Sequence, residues 1–326
     1  MSDTLSRRNF IAGAMAATVS AGAAGARPLP TRVLGRTGVK VTILGFGCGS
    51  RLTGYKTEER GVEAIRLGMD LGIRYIDAAQ NYGNGLAETW AGKAIQGRRK
   101  EVFLVTKIYT RDADEARRKM EESVRRLGTE QFDLIHIHGL EGEDDLAKVE
   151  AKGGLLDVVY KLRDQKVARF IGVTSHKDPA TLKLALERHD FDCVQMALNP
   201  AMQGMIDGPN KMIFNPKATP SFETVALPVA IKKNMGITAM KVAAQDELIG
   251  EGGGKAPFEK LLQYGLSLPI AAAVVGMPKL DHIRRNVELA RDFKPMPRQE
   301  MRELSNRASA ALKASIDRKF AHHLDA

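Results

Sequence analysis

Val102-Phe103-Leu104-Val105-Thr106-Lys107 is an apolar run, rich in β-branched residues, that ends on a cation. It lacks the apolar-polar alternation of a strand with one wet face and reads as a strand covered on both sides. Phe170-Ile171-Gly172-Val173-Thr174 repeats the pattern. Outward from these two, the same kind of run recurs, giving strand candidates at 41–47, 74–79, 102–108, 132–138, 168–175, 193–199, 236–242 and 271–277. Longer segments of helical period lie between them. Thr57 offers an N-cap for a helix ending near Gly72, with Glu59 and Glu63 in its first turns. Asp112 starts a second that ends at Gly128, and 155–166 supplies a third.

Eight strand-helix units in about 250 residues predict an α/β fold, a closed (β/α)8 TIM barrel. An open doubly wound sheet is the alternative. It is weakened because Gly45-Phe46-Gly47-Cys48-Gly49 is too dense in glycine for the dinucleotide-binding turn and is not followed at once by a helix. Ahead of the barrel, Thr37-Gly38 between short apolar stretches predicts an N-terminal β-hairpin. Behind it, Arg298 to Ala326 predicts a C-terminal helical tail. Two strand-to-helix connections, 139–153 and 200–221, are long and belong where barrel loops shape an active site.

With 326 residues, 44% of them hydrophobic, the chain can bury one substantial core. Its formal charge of +10 is spread through the helices among acids. There is no zinc-finger or RNA-binding pattern, which argues against a nucleic-acid partner. A basic surface suits an anionic ligand such as a phosphorylated cofactor. Cys48 and Cys193 are far apart in the chain and form neither a disulfide framework nor a metal-ligand spacing.

The first thirty residues read differently. Ser6-Arg7-Arg8-Asn9-Phe10-Ile11 places paired arginines before an Ala- and Gly-rich run from Ile11 to Gly25. That run is too short and too weakly apolar for a permanent membrane anchor. Ala24-Gly25-Ala26 then offers small residues for cleavage. Residues 1–30 are expected to be a signal peptide and linker, cut after Ala26, with the barrel domain in 31–326. The arginine pair resembles a twin-arginine (Tat) signal. That resemblance implies the Tat export machinery as a partner and a periplasmic or otherwise exported location. A disordered basic tail is the alternative.

The chemistry gathers at strand C-terminal ends. Asp77 closes the second strand, Tyr82 follows in its loop, Lys107 ends the third strand and His138 the fourth. Successive barrel strands are neighbours, so these four converge on one mouth. Such a set can protonate an oxygen that gains negative charge. A phenol is a sluggish acid near neutral pH, and a nearby ammonium from Lys107 is expected to lower its pKa. Asp77 would hold Lys107 charged, and a neutral His138 ring would orient the oxygen. His136 and His138, two apart on one strand, face the same way. As the start of a zinc site they would need further ligands, for which His176 and Asp77 are the obvious candidates; no metal is assigned.

Asp77-x-x-x-x-Tyr82, Thr106-Lys107 and Asp133-Leu134-x-x-x-His138 resemble the catalytic tetrad of the aldo-keto reductase superfamily. Leu34-Gly35-Arg36-Thr37-Gly38 and Leu44-Gly45-Phe46-Gly47 resemble its first hairpin and strand, and the likeness runs from about residue 32 to about residue 293. The resemblance implies reversible carbonyl reduction, or oxidation of the alcohol, with NADP(H) bound in extended form and NAD as the lesser choice. It implies Tyr82 as general acid, Lys107 and Asp77 as its tuning pair and His138 as the orienting donor. It places Thr174, Ser175 and Gln195 at the nicotinamide carboxamide, Leu198 against the nicotinamide ring and Lys241 near the pyrophosphate. Gly276, Met277, Lys279, His282, Arg285 and Asn286 fall on the adenosine-phosphate loop and helix. Ser175, Leu198, His282 and Arg285 depart from the family's usual residues. Two other readings stand beside this one: a nicotinamide-binding sensor with little turnover, and a metal-dependent barrel hydrolase centred on His136 and His138.

Overall fold

Two short strands, β1 (Thr31–Val33) and β2 (Lys40–Thr42), pair antiparallel around a 3-10 turn at Gly35–Thr37. Gly38 leaves that turn at φ 69°, a left-handed conformation that favours glycine. This is the expected hairpin, in a computed structural model that describes residues 27–208, 212–215 and 220–320. The arginine pair and the cleavage stretch lie outside the described residues.

The barrel follows. Its strands are β3 (Leu44–Gly47), β4 (Tyr75–Asp77), β5 (Phe103–Ile108), β6 (Phe132–Ile137), β7 (Ala168–Ser175) and β8 (Cys193–Ala197). After β9 (Met205–Asp207) and β10 (Met212–Phe214), which form a separate hairpin, β11 (Gly236–Met240) and β12 (Ala272–Val275) complete the ring. The order β11-β12-β3-β4-β5-β6-β7-β8 closes on itself, and every neighbouring pair is parallel. The open doubly wound sheet is thereby set aside.

Strand alternation sorts the side chains into two cores. From β5, Phe103 and Val105 point into the lumen, where they join Tyr75, Leu134, Cys193 and Ala272. Leu34 and Val41 from the hairpin pack into the same cluster and floor the barrel. Tyr75, Phe103 and Phe170 stack in series, with centroids 5.4 Å and 6.4 Å apart. Leu104 and Ile108 point the other way, into the larger layer between strands and helices. Each fully buried aliphatic side chain contributes roughly 1.5–3 kcal/mol, so the run that reads as continuously apolar in sequence is held from both faces.

The helices begin and end on the expected signals. Thr57 accepts from the Arg60 amide to cap Glu58–Asp70. Asp112 accepts from the Glu115 amide at 2.7 Å to cap Ala113–Leu127, which stops at Gly128, φ 63°. The third covers Leu155–Asp164, and the tail forms Arg298–Phe320. Three expectations need correction. The first strand candidate is cut at Ile43, because Lys40–Thr42 belongs to the hairpin. A one-turn helix, Ser50–Thr53, does follow the glycine-rich stretch. The long connections are partly structured: 139–153 carries the helix Glu143–Glu150, whose three leading acids suit a helix N-terminus, and 200–221 carries the β9–β10 hairpin. Among the described residues no helix is long and apolar enough to cross a membrane.

Candidate active site

Closure of the barrel brings Asp77, Lys107 and His138 to one mouth. Lys107 pairs in register with His136, and Asp77 with Val105, so the three functional side chains sit at successive strand ends. Lys107 has no exposed surface. Its ammonium donates to Asp77 Oδ1 and, at 2.8 Å, to the Ala78 carbonyl. Burial pulls the lysine pKa down, but the Asp77 charge and hydrogen bond outweigh it and the net direction is upward. Asp77 is thus placed against the Lys107 ammonium, where its charge favours the protonated form. The other carboxylate oxygen, Oδ2, accepts from Gln195 Nε2 at 3.0 Å.

Tyr82 arrives by a tight turn. Gly83, Asn84 and Gly85 take φ of 58°, 53° and 94°, and this left-handed run folds the chain back over the mouth. The Lys107 Nζ lies 4.9 Å from the Tyr82 ring centroid. The ring meets His138 edge-on, at 5.3 Å and 79°. The Lys107 charge acts on the phenol in the expected direction, downward, but burial is the larger effect. Burial raises the Tyr82 pKa, and the Lys107 charge pulls back without overcoming it. Lys107 thus offsets part of the burial effect on the phenol.

Burial, followed by the Lys107 charge, holds the His138 pKa well below the ordinary histidine range, so the ring is neutral. Among the described residues its Nδ1 has no hydrogen-bond partner. Its peptide carbonyl is gripped by Arg111 at 3.0 Å, and Arg111 also pairs with Asp145 at 2.7 Å. Exposed Tyr109 stands edge-on to His138 at 5.9 Å. His136 lies deeper and is also kept neutral, by burial and then by the Lys107 charge. It fits only because position 172 is glycine: a Cβ there would stand 2.6 Å from its Nδ1. Among the described residues no group of three His, Cys, Asp or Glu side chains is placed to hold a metal ion, so the His136–His138 pair gains no third ligand. His176 is occupied elsewhere, its Nδ1 2.9 Å from the Met205 carbonyl.

The residues expected to hold a cofactor are more dispersed. The Thr174 hydroxyl accepts from the Gly139 amide at 2.8 Å, and the Ser175 hydroxyl donates to the Leu140 carbonyl at 2.7 Å. Both hydroxyls pin the connection that follows β6. Leu198 is fully buried in the outer core. Lys241, at φ 59°, directly follows β11; its ammonium lies 3.2 Å from the Met212 thioether, and burial brings its pKa down to about 8. Gly276 is exposed and Met277 buried, with the Met277 carbonyl accepting from Tyr55 at 3.0 Å. Lys279 is the N-cap of the helix Leu280–Arg291, on which His282 and Arg285 are exposed and Asn286 is buried. Arg285 is already paired with Glu259.

Several participants escaped the sequence reading. Gln195 was assigned only to a cofactor, yet it grips Asp77. Arg111, Tyr109 and Arg51 sit in ordinary-looking loop segments. Arg51 packs where a Cβ on residue 276 would fall and pairs with Asp246. No spacing rule marks these residues; only barrel closure brings them to the mouth.

Residues 43–248 match the Aldo/keto reductase family. L-galactose dehydrogenase from Arabidopsis thaliana is 32% identical over 155 residues, 44% of this chain and 47% of that protein, so the match spans about half of that relative. The oxidoreductase YqkF from Bacillus subtilis is 25% identical over 303 residues, covering 79% and 90% of the two chains. An aldo-keto reductase from Klebsiella pneumoniae, solved in complex with NADPH, superposes with a TM-score of 0.65 at 22% identity, over 87% of this chain and 96% of its own. With a closed eight-stranded barrel and a family match across well over half its length, this chain belongs to the aldo/keto reductase family.

Proposed function

We propose that the protein reduces an aldehyde or ketone, or oxidises the corresponding alcohol, using NADP(H). The observation that carries this reading is the buried Asp77–Lys107 pair beneath Tyr82, with neutral His138 edge-on to the phenol. An ammonium held charged in a dry site, next to a phenol and an imidazole that can both donate, suits an oxygen that becomes negative.

The residues present fit a phosphorylated dinucleotide. The Lys241 ammonium is largely desolvated and lies 3.2 Å from the Met212 thioether, and Lys279 is the N-cap of the helix Leu280–Arg291, on which His282 and Arg285 are exposed. Lys241 would hold the pyrophosphate, and Lys279 and His282, with Arg285, the adenosine phosphate. Gln195, Thr174 and Ser175 would border the nicotinamide. The cofactor supplies the hydride. Tyr82 gives its proton to the carbonyl oxygen. His138 donates a hydrogen bond that fixes that oxygen. Lys107 offsets the charge left on the phenolate, and Asp77 keeps Lys107 in place. Support for the cofactor also comes from the Klebsiella relative bound to NADPH.

A titration of the purified protein with NADPH and NADH, followed by turnover of an aldehyde and ketone panel, tests the reading. NADPH binding with oxidation that disappears in Tyr82→Phe is expected. Binding without Tyr82-dependent oxidation would overturn it in favour of a sensor. The arginine pair and apolar run outside the described residues motivate a further part of the proposal, export by the Tat route to the periplasm.

A further inference from the structure

Behind the mouth lies a carboxylate that the proposed reaction does not use. Glu88 sits on the helix Leu86–Ile95, six residues after Tyr82, and has no exposed surface. It accepts from the Thr106 hydroxyl at 2.6 Å and meets the Arg126 guanidinium at 3.3 Å. Thr106 is also fully buried and directly precedes Lys107 on β5. Alternation sends Lys107 into the lumen and Thr106 outward, so the Glu88 bond grips the outer face of the strand that carries the ammonium. Arg126, from the helix Ala113–Leu127, fills the space beside Gly85, where a Cβ would stand 2.5 Å from its guanidinium carbon. Thr89, one residue after Glu88, donates to the Gly85 carbonyl at 3.1 Å. One buried carboxylate thus joins the left-handed turn that presents Tyr82, the strand that presents Lys107 and the neighbouring helix.

A buried carboxylate is costly unless its hydrogen bonds are filled and its charge is paired. Thr106 and Arg126 meet both needs, and both act on elements that carry the active pair. We infer that Glu88 is a positioning residue, setting the separation of Lys107 from Tyr82 through Thr106 and the Gly85 turn. The inference rests on the reading of Tyr82 as the proton donor.

The mechanism predicts a specific readout. If the separation loosens, Lys107 pulls less on the phenol, and Tyr82 becomes harder to ionise. Thr106→Val keeps the β-branched shape and removes the hydroxyl; Thr106→Ser keeps the hydroxyl; Glu88→Gln removes the charge. The ionisation of Tyr82 is measured without turnover, as the phenolate absorbance lost on adding Tyr82→Phe to each background. Thr106→Val and Glu88→Gln should move this ionisation to higher pH, and Thr106→Ser should restore it. NADPH affinity should stay unchanged, and carbonyl reduction should fall about tenfold, less than the ~100-fold that a misplacement of an ångström can cost. An unmoved Tyr82 ionisation in a folded Thr106→Val protein would overturn the inference. That result is distinguishable from failure of the functional reading, in which Tyr82→Phe itself leaves turnover intact. If Glu88→Gln does not fold, the two Thr106 variants decide the matter.

Discussion

Gln195 and Asp77 are joined across the barrel. β8 and β4 stand on opposite sides of the closed ring, and the Gln195 Nε2 spans the lumen to Asp77 Oδ2 at 3.0 Å. The carboxylate that holds Lys107 is therefore held in turn from the far wall. Removing this donor with Gln195→Leu should cost about 1.5–3 kcal/mol, the range for a hydrogen bond to a charged group. Urea denaturation checks this; an unchanged midpoint would show that the transverse bond carries no weight.

Tyr82→Phe should lower turnover by about 100- to 10,000-fold, the range for a positioned general acid, and leave the dissociation constant of NADPH intact. The wild-type pH profile follows from the buried phenol. Its pKa is raised above the ordinary 10, and reduction needs the protonated form. The proton is present throughout the neutral range and is lost only as pH rises through that raised value. Steady-state reduction should be flat through neutrality on this limb, while alcohol oxidation should climb with pH. A reduction limb that falls near neutrality and survives in Tyr82→Phe would point to another acid.

Lys241 makes a second pH prediction. Burial lowers its pKa to about 8, so its charge is present below that value and lost above it. NADPH affinity should weaken as pH rises from about 7 to about 9. Lys241→Met should bind more weakly at the lower pH and lose this dependence. Fluorescence titration at the two pH values separates the outcomes.

Asp77→Asn removes the carboxylate that pairs with buried Lys107. A broken buried pair costs about 3–5 kcal/mol, and a fall of that size in unfolding free energy is expected unless Lys107 gives up its proton. In the second case the loss should be smaller at alkaline pH than at neutral pH, which a denaturation series would show.

Export is tested at Arg7 and Arg8. Replacing both with lysine preserves charge but removes the pair that resembles a Tat signal. Fractionation should then find the protein in the cytoplasm. Unimpaired export would refute the Tat reading.

The barrel was legible because its strands are covered on both faces and so read as plain apolar runs, as β5 does. The caps at Thr57 and Asp112 were legible because a helix start is a local event. Convergence of Asp77, Lys107 and His138 followed from strand order alone. What stayed hidden depends on closure or on dryness. The Gln195–Asp77 bond joins residues 118 apart in the chain. The direction of the Tyr82 shift is decided by burial, which no spacing reveals. Glu88 looks like an ordinary acid in a helix's first turn until Thr106 and Arg126 are seen around it. The helix Glu143–Glu150 and the β9–β10 hairpin are too short to announce a period within long connections.

The hairpin floor has a kinetic meaning. Leu34 and Val41 pack into the lumen cluster at the end of the barrel opposite the mouth, so among the described residues that end is filled by side chains, while Lys107 and Asp77 lie at the other. On the proposed function, nucleotide and substrate would both approach from the mouth, and the one that lies deeper would leave after the other. In that proposal the filled floor makes the order of release depend on depth in the barrel as well as on affinity.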